Sequence, residues 1–234
     1  MAILLGWLLF STSFVLVVNW PVPVHRAVIL MASGLILAWV VIGGFLMLRY
    51  RDSVTAWVQA SKLDWRLKFI LFSTLLAMVE EAVTTGMTNT APLMGLRIGQ
   101  AYVTASANYI DVIGLHSVVT FVSLFVGWAV ILSQYEFTPF SVFILFGVTG
   151  TLAEMIYGGP QHIAEYAMWS YVYGLMVWLP ARSVPVNRNA RVPFWWHYPA
   201  AVLFPFVFIV LFPLAGVVHL FFPGHPSNHF PPIR

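Results

Sequence analysis

Two adjacent glutamates, Glu80 and Glu81, lie inside an otherwise apolar stretch of this sequence. An ionisable side chain near the centre of a membrane helix costs roughly 2.5–3.5 kcal/mol, so residues placed there are candidates for function. Carboxyl groups that share a poorly solvated site cannot all be ionised, because desolvation and mutual repulsion both disfavour the charged form. The pair therefore predicts general acid/base chemistry, with a neutral acid beside a potential base.

Three further ionisable residues, His116, Glu154 and His162, are predicted at a similar depth to the two glutamates. Glu154 shares a helix face with Gly147 and Gly150, and small residues let a second backbone approach closely. Glu154 is therefore expected to face a neighbouring helix and not lipid. The predicted catalytic residues are Glu80, Glu81, Glu154 and His116.

The same cluster leaves a metal site open, because carboxylate and imidazole groups are common ligands of zinc and of iron. The candidate ligands are His116, Glu154 and His162. Neither of the compact helical metal motifs, HExxH and ExxH, is present in the sequence. The cofactor is therefore unknown, with a divalent metal ion as one alternative.

Adjacent glutamates followed by a histidine in a later helix resemble the intramembrane CAAX-type protease family, which pairs an EExxxR motif with FxxxH and a further histidine motif. Here Thr85 stands in place of the arginine, and Val112 stands four residues before His116 in place of the phenylalanine. No third motif follows. The resemblance covers only these few positions and assigns no family.

The composition indicates an integral membrane protein. Hydrophobic residues make up 60% of the chain and charged residues only 8%, whereas soluble domains carry about 25% charged residues. Cysteine is absent, which excludes disulfides and thiolate chemistry. The basic residues are too few, and too confined to predicted loops, to indicate a nucleic-acid partner.

Seven apolar segments approach or exceed the length of about 20 residues that a membrane helix needs. They predict an all-α integral membrane fold, a bundle of about seven transmembrane helices. Residues 1–222 would form this single domain, followed by a Pro-rich tail over residues 223–234, in which His225 and His229 are expected to be solvated. The predicted spans are Ile3–Trp20, Ala27–Leu48, Phe69–Met87, Leu115–Tyr135, Pro139–Tyr157, Ile163–Ala181 and Ala200–Phe222.

Two connections between these spans are longer than a turn. Val54–Lys68 mixes apolar and basic positions, which favours a surface helix on the cytoplasmic face. Thr88–Gly114 is mildly polar and is expected to form either a re-entrant hairpin or a cap over the outer mouth of the bundle.

Basic residues set the expected orientation, because cytoplasmic loops carry an excess of Lys and Arg. The prediction therefore places the N-terminus in the cytoplasm and the C-terminus outside, in a plasma or inner membrane. One side would carry Arg49, Arg51, Lys62, Arg66, Lys68, Arg182, Arg188 and Arg191, and the other only Arg26, Arg97 and Arg234.

These features favour a membrane-embedded enzyme that acts on a lipidic or isoprenoid-like substrate through a buried Glu/His acid–base or metal site. The alternatives are a proton or cation carrier and a structural subunit of a larger complex. The expected partners are membrane lipids, an apolar or lipidic small molecule and, for the alternatives, other membrane-protein subunits.

Overall fold

The computed structural model describes residues 2–224, where regular structure is helical apart from one isolated β-bridge between Tyr135 and Arg191. The all-α prediction is confirmed for this part of the chain. The predicted solvated histidines, His225 and His229, lie outside the described residues. The α-helices are α1 (Ala2–Asn19), α2 (Pro23–Ala60), α3 (Trp65–Thr88), α4 (Tyr109–Leu115), α5 (Ser117–Gln134), α6 (Pro139–Gly158), α7 (Tyr166–Arg182), α8 (His197–Leu211) and α9 (Leu214–Phe221).

Four helical stretches within the described residues are long and apolar enough to cross a membrane: Pro23–Ala60, Tyr109–Gln134, Pro139–Gly158 and His197–Val218. These stretches support membrane integration. Helix α3 has 24 residues but includes charged side chains, and α7 has only 17 residues. Seven spans are therefore not confirmed by length and composition.

Helix α2 is longer than the sequence predicted. It continues to Ala60 and includes a π-helical stretch over Ile36–Gly43. Ser61 then takes an extended backbone, and Asp64 begins α3 by accepting a hydrogen bond from its second residue. The predicted surface helix over Val54–Lys68 is therefore wrong, because no helix-breaking residue separates the second span from Ala60.

The connection between α3 and α4 caps the end of the bundle at which α3 finishes. Gly95 and Gly99 take positive φ angles of 78° and 89°, which turn the chain where an L side chain would be strained. The backbone N–H of Val103 donates to the Thr88 hydroxyl at 3.2 Å, and Ala101 is fully buried. The structure contains no helical hairpin here, so the cap alternative describes this segment.

Three predicted spans have ends that differ from the structure. A break at His116 separates α4 from α5, and a 3-10 helix over Pro160–Glu165 precedes α7. The last span divides at Phe212 and Pro213 into α8 and α9. Proline lacks the N–H that an uninterrupted helix needs, which accounts for the division at Pro213.

Helices α6 and α7 pack in close contact through glycine. A Cβ atom added to Gly147 would lie 2.6 Å from the carbonyl oxygen of Ser170, and one added to Gly150 would lie 2.7 Å from the Cβ of Tyr173. The predicted small-residue face of α6 is therefore confirmed, and it brings α7 against the helix that carries Glu154.

We predict that Gly147→Ala destabilises the protein by about 1–3 kcal/mol, because the added methyl group meets backbone atoms that cannot move independently. The matched control is Gly86→Ala on the exposed face of α3, where nothing lies within 4 Å of the added atom. The control is expected to be neutral or slightly stabilising. Thermal unfolding of the purified protein in detergent measures both, and an equal response to the two substitutions would contradict the close packing.

Candidate functional site

A cavity of about 320 Å³ lies between the helices and below the cap. Side chains from α1, α2, α3, α5, α6 and α7 contribute to its wall, together with the cap segment and the 3-10 helix before α7. The structure thus brings all the sequence-predicted site residues around one cavity. They are Glu80, Glu81, His116, Glu154 and His162.

Glu81 is held by hydroxyl groups from three separate elements. Its Oε2 accepts hydrogen bonds from Thr84 on α3 at 2.9 Å and from Thr104 of the cap at 2.7 Å. The hydroxyl of Ser117, the first residue of α5, also hydrogen-bonds to this carboxylate. Sequence reasoning missed Thr104 and Ser117, because neither lies near Glu81 in the chain and hydroxyl residues are common in apolar helices.

Glu80 and Glu154 complete a group of three neighbouring carboxyls. Glu80 is only 3% exposed, and its carboxyl lies close enough to those of Glu81 and Glu154 for negative charge on one to disfavour ionisation of another. The phenolic hydroxyl of Tyr173 on α7 donates a hydrogen bond to Glu154 Oε1. Glu154 therefore faces a helix, as predicted, and the contact at Gly150 positions the tyrosine that binds it.

His116 lies at the break between α4 and α5 and is buried, with 4% of its surface exposed. Its carbonyl oxygen accepts hydrogen bonds from the backbone N–H and the hydroxyl of Thr120, both at 3.3 Å. These bonds secure the first turn of α5, which also presents Ser117 to Glu81. The histidine therefore lies at the interruption between the two helices and lines the cavity.

His162 and Glu165 form a more exposed pair in the same wall, with side chains 25% and 39% exposed. His162 Nδ1 lies 2.9 Å from Glu165 Oε2, and the Trp169 indole N–H donates to the same oxygen at 3.1 Å. The hydrogen bond to Glu165 raises the pKa of His162, partial burial opposes this effect, and the charges of Glu165 and Glu154 reinforce it. The pair is therefore the part of the cavity wall best placed to exchange protons with water.

Among residues 2–224, no group of three or more His, Asp or Glu side chains is arranged to hold a metal ion. His162 pairs with Glu165, and Glu154 accepts a hydrogen bond from Tyr173.

Much of the remaining cavity wall is apolar, with side chains from α1, α2, α5, α7 and α8. These apolar lining residues include Val15, Val28, Ile29, Ala32, Leu35, Ile36, Leu124, Met168, Val172 and Ile209.

Comparison with protein-family models, with curated proteins and with solved structures found no match for this chain. Its function is therefore inferred from the geometry and chemistry of the cavity.

Proposed function

We propose that the protein is a membrane-embedded enzyme that carries out acid–base chemistry on a lipidic or isoprenoid-like substrate. The observation that carries this proposal is the cavity itself, which joins a cluster of buried carboxyl groups to an apolar wall. Its volume of about 320 Å³ falls at the lower end of the roughly 300–1,000 Å³ that small-molecule sites occupy.

In this proposal Glu80 and Glu81 transfer protons to and from the substrate. Glu81 is oriented by its three hydroxyl donors, so its position is fixed before substrate arrives. Glu80 is the neighbouring acid, and repulsion among the carboxyls favours retention of a proton within the cluster. Glu154 and His116 orient this pair, and His162 with Glu165 restores its protons from water. Hydrolysis is one reaction of this class, with water as the second reactant.

The wall formed by α1 and α2 suits entry from the bilayer. Ser11, Thr12 and Val15 of α1 line the cavity, whereas Leu9 and Phe10 on other faces of this helix are exposed. The single helix α1 therefore separates this part of the cavity from the space that lipid would occupy. An apolar substrate entering here need not cross water.

The two alternatives have less support. A proton or cation carrier needs a polar path through both halves of the bundle. Below the carboxyl cluster, the fully buried rings of Phe125, Trp128 and Phe146 instead pack against one another. A purely structural subunit does not require a cavity lined by four glutamates.

For the membrane topology, we propose seven spans with a cytoplasmic N-terminus in a plasma or inner membrane. The spans would be α1, α2, α3, α4 with α5, α6, α7, and α8 with α9. The excess of basic residues on the side of the α2–α3 and α7–α8 connections supports this orientation. It places the cavity in the outer half of the bilayer.

The absence of cysteine makes this topology directly testable with single-cysteine variants. Leu93→Cys lies in the cap, where the side chain is 86% exposed, and Val186→Cys lies in the α7–α8 connection, where it is 76% exposed. An impermeant maleimide added to intact cells should label Leu93→Cys alone. Val186→Cys and Ser61→Cys should react only after permeabilisation. Labelling of Ser61→Cys and Val186→Cys from opposite sides would contradict the number of spans, and a fully reversed pattern would contradict the orientation.

We expect a lipid conversion that depends on the buried glutamates. Membrane lipids from cells producing the wild-type protein, Glu80→Gln or Glu81→Gln are compared by untargeted liquid chromatography–mass spectrometry. Species formed with the wild type should fall by about 10²–10⁴-fold in either variant, the contribution usual for general acid–base groups.

The matched control for this experiment is Glu136→Gln, which makes the same chemical change at an exposed residue outside the cavity. It should leave the lipid conversion unchanged at equal protein level. Equal lipid profiles for the wild type and both cavity variants would overturn the proposed enzyme function.

A further inference from the structure

The cavity wall collects acidic side chains without a lysine or arginine to balance them. Four glutamates line it, and His162 is already paired with Glu165. Among the described lining residues there is no Lys or Arg, although the chain contains 11 such residues. A phosphate or diphosphate headgroup is normally bound by Arg or Lys side chains or through a metal ion, and the described lining residues include neither Arg nor Lys.

Aromatic rings form a continuous surface beside the carboxyl groups. The rings of Phe121 and Tyr173 meet edge to face at 5.5 Å between centroids, and Trp169 follows at 5.9 Å from Tyr173. All three side chains line the cavity. The faces of such rings attract cations, an effect that strengthens where water is excluded.

Carboxyl groups and aromatic rings in one wall therefore complement a positive charge carried by an apolar molecule. Building on the proposed function, we infer that the substrate is an unsaturated hydrocarbon lipid and that its reaction passes through a carbocation held against this wall. The carboxyl groups and aromatic rings of the cavity wall would then recognise charge that develops during the reaction, and not a charged headgroup on the substrate.

The chemistry balances with the residues of the chain alone. The carboxyl proton of Glu80 adds to one carbon of a double bond, whose electron pair forms the new C–H bond and leaves the other carbon positive. Glu81, as the carboxylate, then removes a proton from a carbon next to the cation, and that C–H electron pair forms a new double bond. The product is an isomer of the substrate, cyclised if a second double bond attacks the cation first. Proton exchange with Glu80, Glu154 and the His162–Glu165 pair returns both carboxyls to their starting state.

A long-chain tertiary amine mimics such a cation, because it carries a positive charge at the end of an apolar chain. We propose to compare dodecyldimethylamine, dodecanol and dodecyl phosphate, which share the chain and differ in charge. Binding is followed through the thermal unfolding of the protein in nanodiscs near neutral pH. The amine should bind about tenfold or more tightly than the alcohol, a preference within the range of cation–π and charge interactions. The phosphate should bind more weakly than either.

Variants separate this preference from partitioning into the lipid. Glu154→Gln and Trp169→Leu should each reduce the preference for the amine over the alcohol by severalfold, and Glu136→Gln should leave it unchanged. Trp169→Leu retains every carboxyl group, so it tests the aromatic wall even if Glu154→Gln does not fold. Equal binding of amine and alcohol, or tight binding of the phosphate, would overturn the inference.

The outcome is independent of the lipid-conversion experiment. Preferential amine binding without any lipid conversion would support the cation-binding wall and contradict the proposed enzyme function. Lipid conversion without an amine preference would support an acid–base enzyme and contradict the carbocation mechanism.

Discussion

The burial of Glu80 and Glu81 and the partial burial of Glu154 between apolar helices form the constraint on which the rest of this site depends. Such groups must find donors within the protein or remain neutral, because lipid offers them no hydrogen bonds. Glu81 recruits hydroxyls from α3, the cap and the start of α5, so one side chain links three elements. Glu154 draws its donor from α7, through Tyr173. The cap, the start of α5 after the α4–α5 break and the α6–α7 contact each supply one of these donors.

Packing supplies the precision that those hydrogen bonds require. Gly147 and Gly150 let α7 approach α6 closely enough for Tyr173 to reach Glu154. On the opposite side, the indole N–H of Trp39 donates to the carbonyl of Val172 at 3.0 Å and ties the π-helical part of α2 to α7. The cavity is therefore bounded by helices held in register, which is the condition for acid and base groups to act at fixed distances.

The sequence was informative about the cavity for a physical reason. Ionisable residues are so unfavourable between apolar helices that Glu80, Glu81 and Glu154 had few places to point except towards one another. The hydrogen-bond partners were not predictable, because Thr104 and Ser117 meet Glu81 only in the tertiary structure. Helical periodicity relates residues within one helix and does not show which residues of other elements lie nearby. The extension of α2 to Ala60 was missed because the apolar segment ends at Arg49 and Arg51, whereas the helix continues past them.

The measurement that tests the shared acidic cavity most directly is labelling with a hydrophobic carbodiimide, which reacts with protonated carboxyl groups in apolar surroundings. Peptide mapping by mass spectrometry should locate adducts on Glu80, Glu81 or Glu154, and dodecyldimethylamine should suppress them. A water-soluble carbodiimide should instead modify exposed carboxyls such as Asp52, which is 73% exposed, and Asp64, which is 57% exposed. Adducts confined to exposed carboxyls with both reagents would show that the buried glutamates hold no accessible proton, and would contradict the acid–base cavity.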